Sequence, residues 1–170
     1  MGPSRMFSGW GPPLCRLSVQ AGWTEIRVTA PPAVCDDSRM PSTLIEVRRP
    51  YCQSEEVAII DAVHDALVVA FQIPASDKHV RLIAHEPHRF SHSPGLAQPE
   101  LYTLVTIDCF SGRSVEAKRD LYRQIVNCLE ALGIPPNHVT ILVRDSPLQN
   151  WGIRGGQAAC DIDLGFNVNV

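Results

Sequence analysis

AFQIPASDKHVRLIAHE, residues 70–86, and ALGIPPNHVTILVRD, residues 131–145, are two versions of one pattern. Ala70-Phe71-Gln72-Ile73-Pro74 is echoed by Ala131-Leu132-Gly133-Ile134-Pro135 at an offset of 61 residues, and His79-Val80 by His138-Val139 at an offset of 59. Working outward, each copy is preceded by a stretch with helical character, SEEVAIIDAVHDALVVAF (54–71) and SVEAKRDLYRQIVNCLEAL (114–132). Each of these is flanked by strand-like runs, TLIEV (43–47) and HVRLIAHE (79–86) in the first half, LYTLVTID (101–108) and HVTILVRD (138–145) in the second. Ser54 and Ser114 stand where an N-cap hydroxyl is wanted, and Glu56 and Glu116 follow two positions later, suiting the positive end of a helix. In the second helix Ala117, Leu121, Ile125, Cys128, Leu129 and Leu132 recur at spacings of three and four, while Lys118, Arg119 and Arg123 fall off that stripe.

A strand–helix–strand unit of this length closes as a right-handed crossover between parallel strands. Two such units in tandem therefore predict an α/β (α+β) domain with a four-stranded mixed sheet and both helices on one face. The opposite face is then bare, and with no third helix to cover it, other copies of the chain are the expected cover. A monomeric ferredoxin-like binding module shares part of this element order and is the plainer alternative.

Composition narrows the function classes. The 170 residues are 45% hydrophobic and 19% charged with a net charge of -3, enough for one sizeable core. Without a Lys/Arg block, neither nucleic acid nor an anionic membrane surface is an expected partner. The opening MGPSRMFSGWGPPLCRL has no apolar segment of the secretory kind, which makes a cytoplasmic location the expectation. Residues 1–40, with GWGPP and APPA and no persistent period, are expected to be a disordered or adventitious extension ahead of a domain at 41–170. The six cysteines, Cys15, Cys35, Cys52, Cys109, Cys128 and Cys160, form no CxxC pair and are expected as free thiols. His85, His88 and His92 lie close together, but Pro87 prevents a helix from aligning them, so a polar loop is expected and no metal.

Met40-Pro41 leads directly into the first strand, and the following residues carry Asp61-Ala62-Val63-His64, Phe71-Gln72-Ile73-Pro74-Ala75-Ser76-Asp77, Arg113-Ser114, Asn150-Trp151-Gly152 and Gly155-Gly156-Gln157-Ala158. Taken together, these resemble the tautomerase superfamily, in particular its malonate semialdehyde decarboxylase-like and oxalocrotonate tautomerase-like members, over about residues 40–165. The resemblance implies a homotrimer of subunits built from two strand–helix–strand units. It also implies cofactor-independent chemistry at a proline exposed by removal of the preceding Met, acting on a small carboxylate substrate.

On that resemblance Pro41 is the catalytic group, because a free prolyl nitrogen is a secondary amine that no internal residue reproduces. Arg113 corresponds to an active-site arginine whose guanidinium holds a substrate carboxylate through two parallel hydrogen bonds. Asp77 corresponds to an acidic partner of the proline, and Trp151 to an apolar wall that excludes water. His64 shares the pattern but is expected to pack rather than react. The chain departs from the pattern at Ser111 and Phe110, where relatives carry a second arginine. A proline-dependent tautomerase of a 2-oxo acid or its enol is the leading expectation. Decarboxylation of a 3-oxo acid, hydratase or dehalogenase chemistry, and a catalytically silent trimeric binding protein are the alternatives.

Overall fold

The computed structural model describes residues 41–170, and the expectations placed on residues 1–40 lie outside the described residues. In chain order the main elements are β1 (Ser42–Val47), α1 (Gln53–Phe71), β2 (His79–Ala84), β3 (Thr103–Phe110), α2 (Val115–Ala131), β4 (Val139–Ser146) and a small hairpin, β5 (Gly152–Ile153) and β6 (Gln157–Ala158). The four long strands form one sheet in the order β2-β1-β3-β4. β1 runs parallel to β2, and β3 parallel to β4, as each strand–helix–strand unit requires. The units meet through β1 and β3, which are antiparallel. The mixed sheet read from the repeat is therefore the observed one.

One face of the sheet is presented to the helices. Thr43, Ile45 and Val47 alternate inward on β1, and Val105, Ile107 and Cys109 on β3. They pack with Ile59, Val63, Leu67 and Phe71 of α1 and Leu121, Ile125 and Leu129 of α2 in a single cluster. The helices also lie against one another. The other face carries Leu44 and Leu104 half-buried and Ile83 and Leu142 exposed, an apolar surface among the described residues that no helix covers.

The repeat has a conformational basis at the helix ends. Gln72 and Gly133 occupy equivalent places, and both adopt the left-handed backbone, with φ of 52° and 86°. This turn ends the helix and drops the next residue, Ile73 or Ile134, into the core. At the second end Gly133 N donates to Glu130 O at 2.9 Å and Ile134 N to Leu129 O at 3.0 Å, satisfying carbonyls the helix leaves unpaired.

The helix starts divide. Ser114 caps α2 as expected, its Oγ accepting from Ala117 N at 3.1 Å. Ser54 does not cap α1: the helix begins one residue earlier, Cys52 is the cap, and Glu55 reaches back to accept from Cys52 N at 2.8 Å. The α2 stripe is also shorter than its period suggested, because Leu132 is 43% exposed at the helix end whereas Ile125 is fully buried. No helix among the described residues is long and apolar enough to cross a membrane. The clustered histidines engage separate partners: His85 Nε2 pairs with Glu46 Oε1 at 2.9 Å, His92 Nδ1–H donates to Ser93 O at 2.7 Å, and Arg89 Nε donates to His88 Nε2 at 3.4 Å.

Truncating Ile125 to Ala should cost about 3 kcal/mol, from lost burial plus the cavity left behind. The same change at Leu132 should cost less than about 0.5 kcal/mol. Urea unfolding of the two variants checks this, and equal losses would contradict the packing described here.

Candidate active site

Pro41 is buried and immediately precedes β1. Its neighbours follow from register. Ser42 pairs with Asp108 on antiparallel β3 and with His79 on parallel β2. One residue further, the same ladders set Pro41 beside Cys109 on one side and Lys78 on the other. Cys109 in turn pairs with Asp145 on β4. A row Lys78, Pro41, Cys109, Asp145 thus crosses one end of the sheet, where β3 leaves for α2.

The chain turns sharply between that row and the helix. Gly112 makes the turn with φ +129°, and a Cβ there would lie 2.7 Å from Asn169 Oδ1 and 2.8 Å from Val168 O. Both the conformation and the close approach of residues 168–169 therefore demand glycine. Arg113 follows and is only 6% exposed. Its Nη1 donates to Val168 O at 3.1 Å, and its guanidinium carbon lies 5.3 Å from the Phe71 ring centre and 6.0 Å from that of Phe166. No carboxylate of the described residues lies within ion-pair distance of it, and its Nε has no hydrogen-bond partner among them. Burial pushes the Arg113 pKa down, opposed by the neighbouring Cys109 and Asp145. A buried guanidinium with spare donors and no counter-ion is a costly arrangement that an incoming anion would relieve.

Cys109 faces the same site. Burial, then the Asp145 carboxylate, push its thiol up to about 12. It is consequently neutral near pH 7, and its S–H donates to Asp145 Oδ1 at 3.5 Å. The other Asp145 oxygen, Oδ2, accepts from Lys118 Nζ at 2.5 Å. The six cysteines were expected as free thiols; Cys52, Cys109, Cys128 and Cys160 are free, and Cys15 and Cys35 lie outside the described residues.

Asp77 sits at the opposite flank of the row, next to Lys78. It belongs to the turn that follows α1, with Asp77 N donating to Pro74 O at 2.9 Å, yet its side chain is only 1% exposed and stands 3.8 Å from His79 Nε2. His64 helps fix this turn: buried in α1, its Nε2–H donates to Ala75 O at 3.0 Å. That contact gives His64 a packing role, and through the turn a say in where Asp77 is held.

Pro41, Asp77 and Arg113 are therefore brought to one end of the sheet. Trp151 is not in that row. It meets Phe110 edge-on, with centroids 5.5 Å apart, in a second apolar cluster with Ala159 and Leu164. Phe110 follows Cys109 on β3 and so points to the other face. The connection from Trp151 to Arg113 runs through Phe166, which packs against both apolar clusters. Sequence reasoning passed over Asp145 and Lys118. The signal available was register: Asp145 is the parallel partner of Cys109, and Lys118 lies one helical turn after the Ser114 cap.

Residues 77–154 match the family model described as tautomerase enzyme. Among curated proteins, the chain is 40% identical over 48 residues to 2-hydroxymuconate tautomerase of Comamonas testosteroni, covering 28% of this chain and 76% of that protein. Among solved structures, malonate semialdehyde decarboxylase superimposes with a TM-score of 0.65 at 22% identity, over 72% of this chain and 99% of that one. A fused 4-OT solved as an asymmetric trimer gives a TM-score of 0.63 at 19% identity, over 71% of this chain and 97% of that one.

Proposed function

This chain belongs to the tautomerase superfamily, and from that premise we propose that residues 41–170 are a proline-dependent tautomerase domain acting on a small 2-oxo acid or its enol. The observation that carries the proposal is Arg113, a buried cation without a carboxylate partner among the described residues, at the end of the sheet where Pro41 leads into β1. Arg113 binds the substrate carboxylate, exchanging one desolvated contact to a carbonyl for a charge-assisted one. Pro41, once its nitrogen is a free secondary amine, accepts the enol hydroxyl proton and returns a proton to carbon, so that no proton is gained or lost overall. An ordinary α-amine titrates at about 8, and burial together with nearby cations lowers that value toward neutrality, where the amine form can act as a base. Asp77, at the other flank, accepts a hydrogen bond from the prolyl ammonium and orients it. Trp151, through the cluster it shares with Phe166, keeps water from the Arg113 end of the site. No metal, nucleotide or other cofactor takes part in this proton transfer.

The second reading is decarboxylation of a 3-oxo acid such as malonate semialdehyde. It is favoured by the buried Asp77 carboxylate beside the proline end and by the likeness to malonate semialdehyde decarboxylase. We further propose a homotrimer, in which the apolar sheet face bearing Leu44, Ile83, Leu104 and Leu142 is buried between copies, as the trimeric fused 4-OT suggests.

A residue preceding Pro41 turns its nitrogen into an amide that has no useful basicity. The 170-residue chain should therefore be inactive in enolpyruvate ketonisation, while protein starting at Met40 should lose that Met and be active, with intact mass confirming each N-terminus. Equal activity of the two forms would remove Pro41 from the mechanism.

In the active form, Arg113→Ala should lower kcat/KM by at least ~100-fold, in keeping with roughly 3 kcal/mol for a charge-assisted bidentate contact in a dry site. An unchanged rate would take Arg113 out of the site. Light scattering of the same form at micromolar concentration should read three subunits, and a stable monomer would overturn the proposed assembly.

A further inference from the structure

Arg113 is almost wholly buried, and the groups that bury it are held in different ways. Phe71, whose ring centre lies 5.3 Å from the guanidinium carbon, is a fully buried residue of α1 and is fixed by the core. The rest of the cover comes from residues 166–170, which belong to no helix or strand. Phe166 supplies a second ring at 6.0 Å, and Val168 O accepts from Arg113 Nη1 at 3.1 Å. Two residues on, Val170 O accepts from Ser114 N at 2.6 Å, just ahead of the first turn of α2. Phe166, Val168 and Val170 are half-buried whereas Asn167 and Asn169 are exposed, so alternate side chains of this segment face the protein. Leu164, buried in the second apolar cluster, anchors its base, and Gly165 follows with φ +75°.

We propose that residues 166–170 are a strap that closes the empty site as an internal stand-in for substrate. The Val168 oxygen holds the Arg113 donor that a ligand carboxylate needs, and an acid gains Arg113 only when the strap swings away about Gly165. The proposal rests on the reading of Arg113 as a carboxylate anchor and adds to it a conformational step. A guanidinium that is 6% exposed, with its Nε buried, presents no fork to solvent, so a ligand has to displace part of the cover. The strap is the part held by neither ladder nor helix. In the closed state Arg113 meets a neutral amide oxygen, and a carboxylate is the stronger partner for a guanidinium, so the exchange favours the acid. Gly165 marks the hinge: a Cβ there would meet nothing within 4 Å, so the left-handed conformation, not space, is what calls for glycine. While the strap is shut, the apparent affinity for an acid is reduced by the fraction of molecules that are open.

Butyrate, a monoacid without a reactive carbonyl, reads the Arg113 contact alone. Alanine is strained in the left-handed backbone whereas asparagine tolerates it, so Gly165→Ala should loosen the closed strap and Gly165→Asn should keep it. Calorimetric titration of the 170-residue chain and of the form beginning at Pro41 should show Gly165→Ala binding butyrate about five-fold more tightly than the parent in one form or both, with Gly165→Asn unchanged. A gain in affinity cannot come from a damaged fold. In the form beginning at Pro41, Trp151 is the only tryptophan, and it shares its cluster with Phe166 and Val168. Its emission should move to longer wavelength on addition of butyrate, and in Gly165→Ala before any is added. Arg113→Ala separates the two layers. If it abolishes binding, the anchor stands, and the strap alone is overturned when Gly165→Ala binds no more tightly than the parent, when Gly165→Asn tightens binding as much, or when saturating butyrate leaves Trp151 emission unmoved. If butyrate binding survives Arg113→Ala, or no variant binds it, the Arg113 reading fails and the strap falls with it.

Discussion

The antiparallel ladder between β1 and β3 is the constraint on which the rest depends. Each strand–helix–strand unit closes its own parallel pair, but neither unit alone has a sheet wide enough to bury a helix face. Pairing Ser42 with Asp108 and Val47 with Thr103 joins the halves. It also aligns Ile45 with Val105, both fully buried, beneath the two helices. A slip of one residue would turn Ile45 and Val47 to the bare face and Leu44 and Glu46 to the core, a change the apolar core could not accommodate. The same ladder brings the start of the first unit to the end of β3 in the second. Whatever Pro41 does, it does beside Cys109 because the core has fixed the register.

The gross architecture could be read from the sequence because it is a matter of period and repetition, both local properties. The echo of Phe71-Gln72-Ile73-Pro74 in Leu132-Gly133-Ile134-Pro135 marks two helix ends that share one left-handed turn. The places where reading failed are those where a side chain's role depends on a distant neighbour. Cys52 displaces Ser54 as the α1 cap because Glu55 is placed to reach the Cys52 amide, so the start of the helix shifts with it. Leu132 fits the apolar period yet lies past the end of the helix, where the core no longer extends.

For the candidate site the same division holds. Arg113 and Asp77 were expected by resemblance alone, and the fold sets both at the end of the sheet that holds Pro41. Lys118 was read only as a residue off the apolar stripe, like Arg119 and Arg123. A helical wheel tells which side chains avoid the core, not which strand end a long side chain can reach. Asp145 carried no local signal at all, since it becomes relevant only once β4 is laid parallel to β3 and its partner is Cys109. Trp151 shows the converse, a motif residue whose place is a second apolar cluster against Phe110 rather than the row itself.

The charges at this end of the sheet also follow an order. Arg113 is withdrawn from solvent and meets a backbone carbonyl where a charge would serve it better. Lys118 and Asp145 stand nearer the surface and satisfy one another, while the Cys109 thiol between them stays neutral because burial and the adjacent carboxylate both oppose its ionisation. That thiol fixes Asp145 without adding a further negative charge to this end of the sheet, where the Arg113 and Lys118 cations face the Asp145 and Asp77 carboxylates, two charges of each sign. The two signs are spread along the row, with the buried Arg113 cation toward the α2 side and the buried Asp77 carboxylate at the opposite flank, so on the proposed reading an anionic ligand and a cationic prolyl nitrogen would be drawn to different ends of it.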